Sequence, residues 1–156
     1  MTERIQASVF LSWCHGDAKA KESLLANLHL DGLAGVQVDW WEDSHLEIGA
    51  DWRGKILGQL ATCDYGLLLL SPGFFASRFI LDEELPRLLG PEVDKVLPVM
   101  LKRVPIDGSW DLHGVDSRQI FTSRGRCFTE TRGPSRERFA LELATEVRRR
   151  VLSDAA

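Results

Sequence analysis

Three consecutive acids, Asp82, Glu83 and Glu84, lie among apolar residues in a stretch with helical spacing. At about 100° per residue, Ile80 and Leu85 belong to an apolar arc that includes Glu84 and leaves Glu83 on the opposite face. A carboxylate that faces inward needs hydrogen-bond donors or loses its charge, because burial disfavours the ionised form. Glu84 is therefore the candidate for chemistry. The same pattern fits a glutamate that hydrogen-bonds a neighbouring loop or leans out of the helix at the rim.

Aromatic and small polar residues follow the segments predicted to be strands, and such residues could hold a nucleotide. Aromatic rings stack on a base or on nicotinamide, and hydroxyl groups bond to a ribose. The residues are Ser12, Trp13, Trp41, Trp52, Ser71, Ser77 and Phe79. For each aromatic residue, packing between a helix and the sheet is the alternative. Cys14 beside His15 resembles a nucleophile and its base, but neighbouring residues of an extended segment point to opposite faces.

The composition is that of a globular protein of one domain. Of the 156 residues, 44% are hydrophobic and 27% are charged, and the net charge of −4 gives no general attraction to nucleic acid or to an anionic membrane. The N-terminus lacks the pattern of a signal peptide, and no apolar run approaches the ~20 residues that span a bilayer. We therefore expect a cytoplasmic protein with no membrane partner and no direct nucleic-acid partner. Cys14, Cys63 and Cys127 are widely spaced without a Cys-x-x-Cys pair, so we expect free thiols and no metal site.

Strand and helix patterns alternate along the chain. Apolar, β-branched and aromatic runs predict five strands, at residues 7–14, 36–41, 65–70, 95–101 and 120–122. Helical spacing predicts helices from an N-cap at Asp17 to about residue 30, over 52–62, around Glu84, and over 135–152. Because right-handed crossovers return each strand to the same sheet, this alternation predicts an α/β fold with a mainly parallel sheet and helices on both faces. The run 65–70 scarcely alternates, as expected of a central strand, and Pro98 predicts an edge or a bulge.

Ligands of such folds bind beyond the carboxyl ends of the strands, which here are residues 12–17, 41–49 and 71–79. The chain contains no Gly-x-Gly-x-x-Gly, no Gly-x4-Gly-Lys-Ser/Thr, no Gly-x-Ser-x-Gly and no His-Glu-x-x-His. Phosphate-loop and serine-hydrolase functions therefore lack support. What remains is a cleft rim that carries one inward glutamate, Glu84.

Four segments, in this order, resemble the Toll/interleukin-1 receptor (TIR) domain. They are Val9-Phe10-Leu11-Ser12-Trp13; Trp41-x-Asp43-x-x-Leu46-x-x-Gly49-x-x-Trp52; Leu67-Leu68-Leu69-Leu70-Ser71-Pro72-x-Phe74 with Ser77-x-Phe79; and Glu84-Leu85-Pro86. They resemble, respectively, the family's first strand, its second-strand exit with a mobile loop, its third strand with the following turn, and its acidic helix. The set spans residues 8–89 and is most similar to prokaryotic members.

The resemblance implies a flavodoxin-like, three-layer α/β/α fold around a central, mainly parallel five-stranded sheet. Enzymatic members of the family cleave NAD+ between nicotinamide and ribose, and the position that matches their catalytic glutamate is Glu84. The implied function is an NAD+ nucleosidase of bacterial immune defence, with NAD+ as substrate, no cofactor and no metal, giving nicotinamide and either ADP-ribose or a cyclic isomer. The implied NAD+ contacts are Ser12, Trp13, Cys14, Trp41, Asp43, Trp52, Ser71 and Phe79.

The resemblance also implies assembly with other TIR domains. Enzymatic members are commonly fused to a sensor and become active when copies assemble head to tail, each site being completed by the loop of a neighbour. The loop residues here are Asp43, Ser44, His45, Leu46, Glu47, Ile48 and Gly49. We expect one TIR domain over residues 1–156, with an ordered core over about 7–152, that is normally fused to a sensor domain or excised from a longer protein.

Some positions depart from the family pattern, and two alternative functions share the fold. Ile48 stands where many members have proline, Phe79 stands where tryptophan is frequent, and Trp13 follows Ser12 where tyrosine or histidine is usual. The first alternative is a non-catalytic adaptor that binds other TIR domains. The second is a receiver-type phosphoacceptor domain, which requires an aspartate at the end of the third strand, where this chain has Ser71.

Overall fold

The computed structural model describes residues 3–42, 49 and 51–156. Its strands are β1 (Ile5–Ser12), β2 (Val36–Trp41), β3 (Tyr65–Leu70), β4 (Leu89–Gly90), β5 (Val93–Asp94) and β6 (Val96–Met100). Its helices are α1 (Ala18–Asn27), α2 (Trp52–Thr62), α3 (Pro72–Ala76), a π-helical turn (Ile80–Glu84), α4 (Leu85–Leu88) and α5 (Pro134–Ala155), and single 3-10 turns lie at His15–Asp17, Val115–Ser117 and Phe128–Glu130. Within these described residues, no helix combines the length and the apolar character needed to cross a membrane.

The main sheet is parallel, with the strand order β2-β1-β3-β6 in the described part of the chain. The short strands β4 and β5 form a separate antiparallel pair. Every residue of β3 is buried, as its apolar run without alternation predicts for a central strand. The fold class predicted from the sequence, a flavodoxin-like α/β arrangement, is therefore confirmed.

The predicted fifth strand at residues 120–122 is wrong in detail, because only a single parallel bridge joins Phe121 to Val99. Phe121 donates its N–H to the Pro98 carbonyl at 2.8 Å, and Met100 donates to the Phe121 carbonyl at 3.0 Å. Pro98 has no N–H to offer on this side, so the ladder does not continue. Among the residues that the structure describes, the sheet therefore has four strands with β6 at its edge, as Pro98 predicts.

Side chains alternate across the sheet and form a core on each face. Val9 and Leu11 of β1 belong to the core that packs against α1 and α5. Phe10, between them, belongs to the core that packs against α2, α3 and α4. Ser12 lies two residues after Phe10, so its side chain points to the same face of the sheet. The last residue of β1 therefore directs a hydroxyl to the face that carries α2 to α4.

The aromatic contacts of α5 give a test of the packing. Phe139 is fully buried and meets Phe121 and Phe128 edge to face, with ring centroids 5.0 and 5.3 Å apart. We expect Phe139→Ala to lower the free energy of unfolding by about 3–5 kcal/mol, because it removes a large buried ring and leaves a cavity. Leu141→Ala on the same helix, at a side chain that is 65% exposed, should change it by less than about 0.5 kcal/mol. Urea denaturation followed by circular dichroism measures both, and similar losses in the two variants would contradict the packing.

Candidate functional site

Two elements that are far apart in the sequence bring Glu84 and Ser12 together. Glu84 is only 7% exposed, and its Oε1 accepts a hydrogen bond from Ser12 Oγ at 2.6 Å. Ser12 is the last residue of β1 and is 1% exposed. The carboxylate therefore lies at the carboxyl edge of the parallel sheet, where ligands of such folds bind.

A π-helical turn presents Glu84, whereas the periodicity of the sequence predicts an ordinary α-helix there. The Leu85 N–H bonds to the Ile80 carbonyl, five residues back, and α4 follows directly. Pro86 supplies a signal for this turn, since a proline inside a helix lacks an N–H and its ring collides with the carbonyl four residues earlier, here that of Asp82. The wider turn relieves that collision, and single π turns occur frequently at functional sites.

The acids beside Glu84 point elsewhere. Asp82 is exposed. Glu83 accepts a hydrogen bond from Arg53 at 2.5 Å and pairs with Arg87 at 3.0 Å. The hydrogen bond from Arg53 holds the pKa of Glu83 below its usual range. Of the three acids, Glu84 is therefore the one that the structure buries, in agreement with the helical phase of the sequence.

Three of the predicted aromatic contacts lie on the face of the sheet that carries Glu84. Trp41, at the end of β2, is half-buried and stacks on Phe10 with ring centroids 5.3 Å apart and planes 20° apart. Trp52, at the start of α2, is 54% exposed and leans on Phe79 at 5.4 Å. Phe79 directly precedes the π-helical turn. The exposed Trp52 and the half-buried Phe79 therefore form an aromatic surface, and Phe79 connects it directly to the turn that bears Glu84.

Trp13 lies on the other side of the sheet. It packs against the core under α1 and α5, with Lys21 Nζ 4.3 Å from its ring centroid and His15 at 4.9 Å. Strand parity explains this, because residue 13 points away from the face that residue 12 occupies. The structure does not bring Trp13 together with Glu84.

Cys14 and Ser71 lie beside α3, and both contact other protein groups. A Cβ built on Gly73 would be 2.9 Å from Cys14 Sγ, so α3 passes close to this thiol. Ser71 is fully buried and is the N-cap of α3, where its Oγ accepts the Phe74 N–H at 3.0 Å and donates to Asp17 Oδ2. The Ser71 hydroxyl is therefore occupied by two groups of the protein.

The loop residues predicted to complete the site lie mostly outside the described residues. This applies to Asp43, the remaining predicted NAD+ contact, and to the loop residues 44–48. Gly49 is described; its φ of 86° places it in the left-handed region that favours glycine.

Sequence reasoning missed an ion pair at the same edge, in which the carboxylate is buried and the cation is partly exposed. Asp17 is 5% exposed, and its Oδ1 lies 2.7 Å from Lys102 Nζ. The sequence predicts Asp17 as the N-cap of α1, and it does occupy that position, but its side chain makes no capping hydrogen bond. A contact between residues so far apart leaves no periodic signal in the sequence.

A cavity of about 570 Å³ lies elsewhere, between β6 and α5. It is lined by residues such as Val99, Phe121 and Val147, and none of the predicted NAD+ contacts that the structure describes borders it.

All three cysteines are free, with Cys63 and Cys127 buried.

The fold and the site define a flavodoxin-like α/β domain with a buried glutamate at the carboxyl edge of its sheet. Comparison with known families gives the identity of that domain, since a family model described as TIR domain matches residues 9–129. The chain belongs to the TIR domain family, whose members generally bind other TIR domains and include enzymes that cleave NAD+.

One curated relative is similar over part of its length. It carries the name uncharacterized protein y4lF, comes from Sinorhizobium fredii, and is 31% identical over 100 residues. The match covers 61% of this chain and 30% of that relative.

The Ser12–Glu84 contact can be measured by a double-mutant cycle. We expect Ser12→Ala to lower the free energy of unfolding by about 1.5–3 kcal/mol in the native background, because it removes a hydrogen bond to a buried carboxyl group. In a Glu84→Leu background, where the acceptor is gone, the loss should be smaller by at least about 1 kcal/mol. Ser153→Ala, at an exposed position of α5, is the control and should be close to neutral. Equal losses in the two backgrounds would show that the contact does not form.

Proposed function

We propose that the chain is an NAD+ nucleosidase, which cleaves the bond between nicotinamide and ribose and gives nicotinamide with ADP-ribose or a cyclic ADP-ribose isomer. The observation that carries the proposal is the buried Glu84 carboxyl group, held by Ser12 at the carboxyl edge of the sheet. Membership of a family that includes NAD-cleaving enzymes supports it. The proposed reaction needs no further cofactor and no metal.

The chemistry requires a single carboxylate. As the bond between C1′ of the ribose and the pyridinium nitrogen breaks, its electron pair goes to nicotinamide, and positive charge develops on the ribose as in other glycoside cleavages. Nicotinamide leaves as a neutral molecule and needs no general acid. Water then adds to C1′ and loses a proton to give ADP-ribose, or a nucleophilic atom of the same ADP-ribosyl group adds to C1′ to give the cyclic isomer. Glu84 stabilises the cationic ribose electrostatically or by transient attack, and its second task is to hold the ribose hydroxyls. Ser12 orients the carboxylate for both tasks.

Substrate binding would use the aromatic residues on the face of Glu84. In this proposal, the exposed Trp52 and the half-buried Phe79 provide a stacking surface, and Trp41 lines the edge beside β1. Asp43 and Cys14 belong to the contacts that the family resemblance implies, whereas Trp13 lies on the other side of the sheet. Ser71 would act indirectly, because its hydroxyl already bonds to Asp17 and so helps to hold the site in place.

Activation would follow from contacts between TIR domains. TIR domains generally interact with one another, and we propose a head-to-tail assembly in which residues 43–49 complete the site of a neighbour. A fused or partner sensor domain would control this assembly in bacterial immune defence, in the cytoplasm. The alternative is an adaptor that assembles without cleaving NAD+.

Changing the charge of Glu84 tests the chemistry. We expect Glu84→Gln to reduce nicotinamide release at least about 100-fold, because the amide cannot offset positive charge on the ribose. Asp82→Asn makes the same chemical change at an exposed acid two residues away and should leave the rate within about twofold. Chromatographic detection of nicotinamide from NAD+ measures the rates, and light scattering checks assembly. Equal rates in the wild type and Glu84→Gln would exclude the proposed role, and assembled wild type that releases no nicotinamide would favour the adaptor.

Protein concentration tests the activation. We expect the rate per molecule to rise as the protein is concentrated or clustered on a multivalent scaffold, because clustering raises the effective concentration of neighbours into the millimolar range. Clustered Glu84→Gln is the control and should stay inactive. A rate per molecule that is independent of concentration and clustering would contradict activation by assembly.

A further inference from the structure

Asp17 is a second buried carboxylate at the edge of the sheet that carries Glu84. It is 5% exposed, and a buried carboxylate destabilises the fold unless other groups compensate its charge and bond its oxygens. Both oxygens have partners, since Oδ2 accepts a hydrogen bond from Ser71 and Oδ1 pairs with Lys102 at 2.7 Å. Lys102 remains 39% exposed at its side chain, so the ion pair reaches the surface on one side.

The three groups follow the ends of three neighbouring strands. Asp17 lies in the turn after β1, Ser71 directly follows β3, and Lys102 follows β6. The turn itself is closed by a 2.8 Å hydrogen bond from the Asp17 N–H to the Cys14 carbonyl. Two backbone N–H groups, those of residues 101 and 102, bond to the Leu70 carbonyl at 3.0 Å. The Asp17 carboxylate therefore joins the exits of β1, β3 and β6.

The chain from Ser71 leads directly to Glu84. Ser71 caps α3, and Ser77 after α3 accepts the Ile80 N–H that begins the π-helical turn. At the far end of this segment, the Glu84 carboxyl group accepts a hydrogen bond from Ser12, the last residue of β1. Residues 71–84 are thus bonded at both ends to residues 12–17, through Asp17 at one end and through Ser12 at the other.

We propose that Asp17 is a positioning residue for Glu84. By holding Ser71, it fixes the segment 71–84 against the end of β1, and Lys102 compensates its charge. Glu84 is then at the correct distance from Ser12 before substrate binds. As a statement about catalysis this rests on the proposed NAD+ cleavage, whereas the geometry can be measured without it.

The first experiment measures geometry and needs no activity. The coupling between Ser12→Ala and Glu84→Leu, expressed as a ratio of unfolding equilibrium constants, should be about tenfold in the native background. In an Asp17→Asn background it should fall to about twofold or less. The matched control is Asp64→Asn, since Asp64 accepts bonds from Ser8 N and Oγ at 2.8 and 3.1 Å near the amino end of the same strands. The coupling should persist in that control, and its persistence in Asp17→Asn would overturn the proposal.

The second experiment separates kcat from KM in the clustered, folded protein. We expect Asp17→Asn to lower kcat by about 10- to 100-fold with KM within about threefold, because a small misplacement of a catalytic group has effects of this size. Ser71→Ala, the milder change, should lower kcat in the same way, and the double variant should lose little more. Asp64→Asn should keep its kcat even where its stability falls. An unchanged kcat in Asp17→Asn overturns the catalytic part, whereas an inactive wild type overturns NAD+ cleavage and leaves the coupling experiment to decide the positioning.

Discussion

A carboxylate that is removed from water must meet donors whose positions the fold has already fixed. In this protein the requirement falls on Glu84, and the Ser12 hydroxyl at the end of β1 meets it. Ser12 can do so because strand parity turns it to the face of α2 to α4, while the ladder to β3 pairs its backbone with Leu68. The parallel sheet therefore fixes the position of the Ser12 hydroxyl, and this hydroxyl in turn fixes the Glu84 carboxyl group.

The helix that bears Glu84 shows how a local irregularity serves this contact. Pro86 prevents a regular α-helix four residues earlier, and the chain responds with a π-helical turn over Ile80–Glu84. Ile80 and Leu85, on either side of the acids, both remain buried in the core. Apolar burial thus holds the wide turn in place, and Glu84 is directed inward together with these neighbours.

The sequence predicted the features that depend on periodicity and missed those that depend on long-range pairing. The run 65–70 identified the central strand, and helical phase selected Glu84 over Glu83. The ion pair of Asp17 with Lys102 joins residues whose proximity follows only from the strand order. Trp13 is a different case, since the parity of β1 already predicts that it faces away from Ser12, whereas the family resemblance placed both in one site.

Asp17 and Glu84 are two buried carboxyl groups at one edge of the sheet, and each is held by a residue that follows or ends another strand. Lys102 is an ammonium group and neutralises Asp17, which leaves Asp17 as an anchor whose charge is cancelled nearby. Without that cation, Asp17 would oppose ionisation of any acid close to it, since like charges disfavour the charged form. The hydroxyl of Ser12, in contrast, is a neutral donor that orients the Glu84 carboxyl group. In the proposed reaction the ribose becomes positive beside Glu84, and the ion pair of Asp17 with Lys102 fixes the strand exits at the same edge of the sheet while it compensates the charge of Asp17.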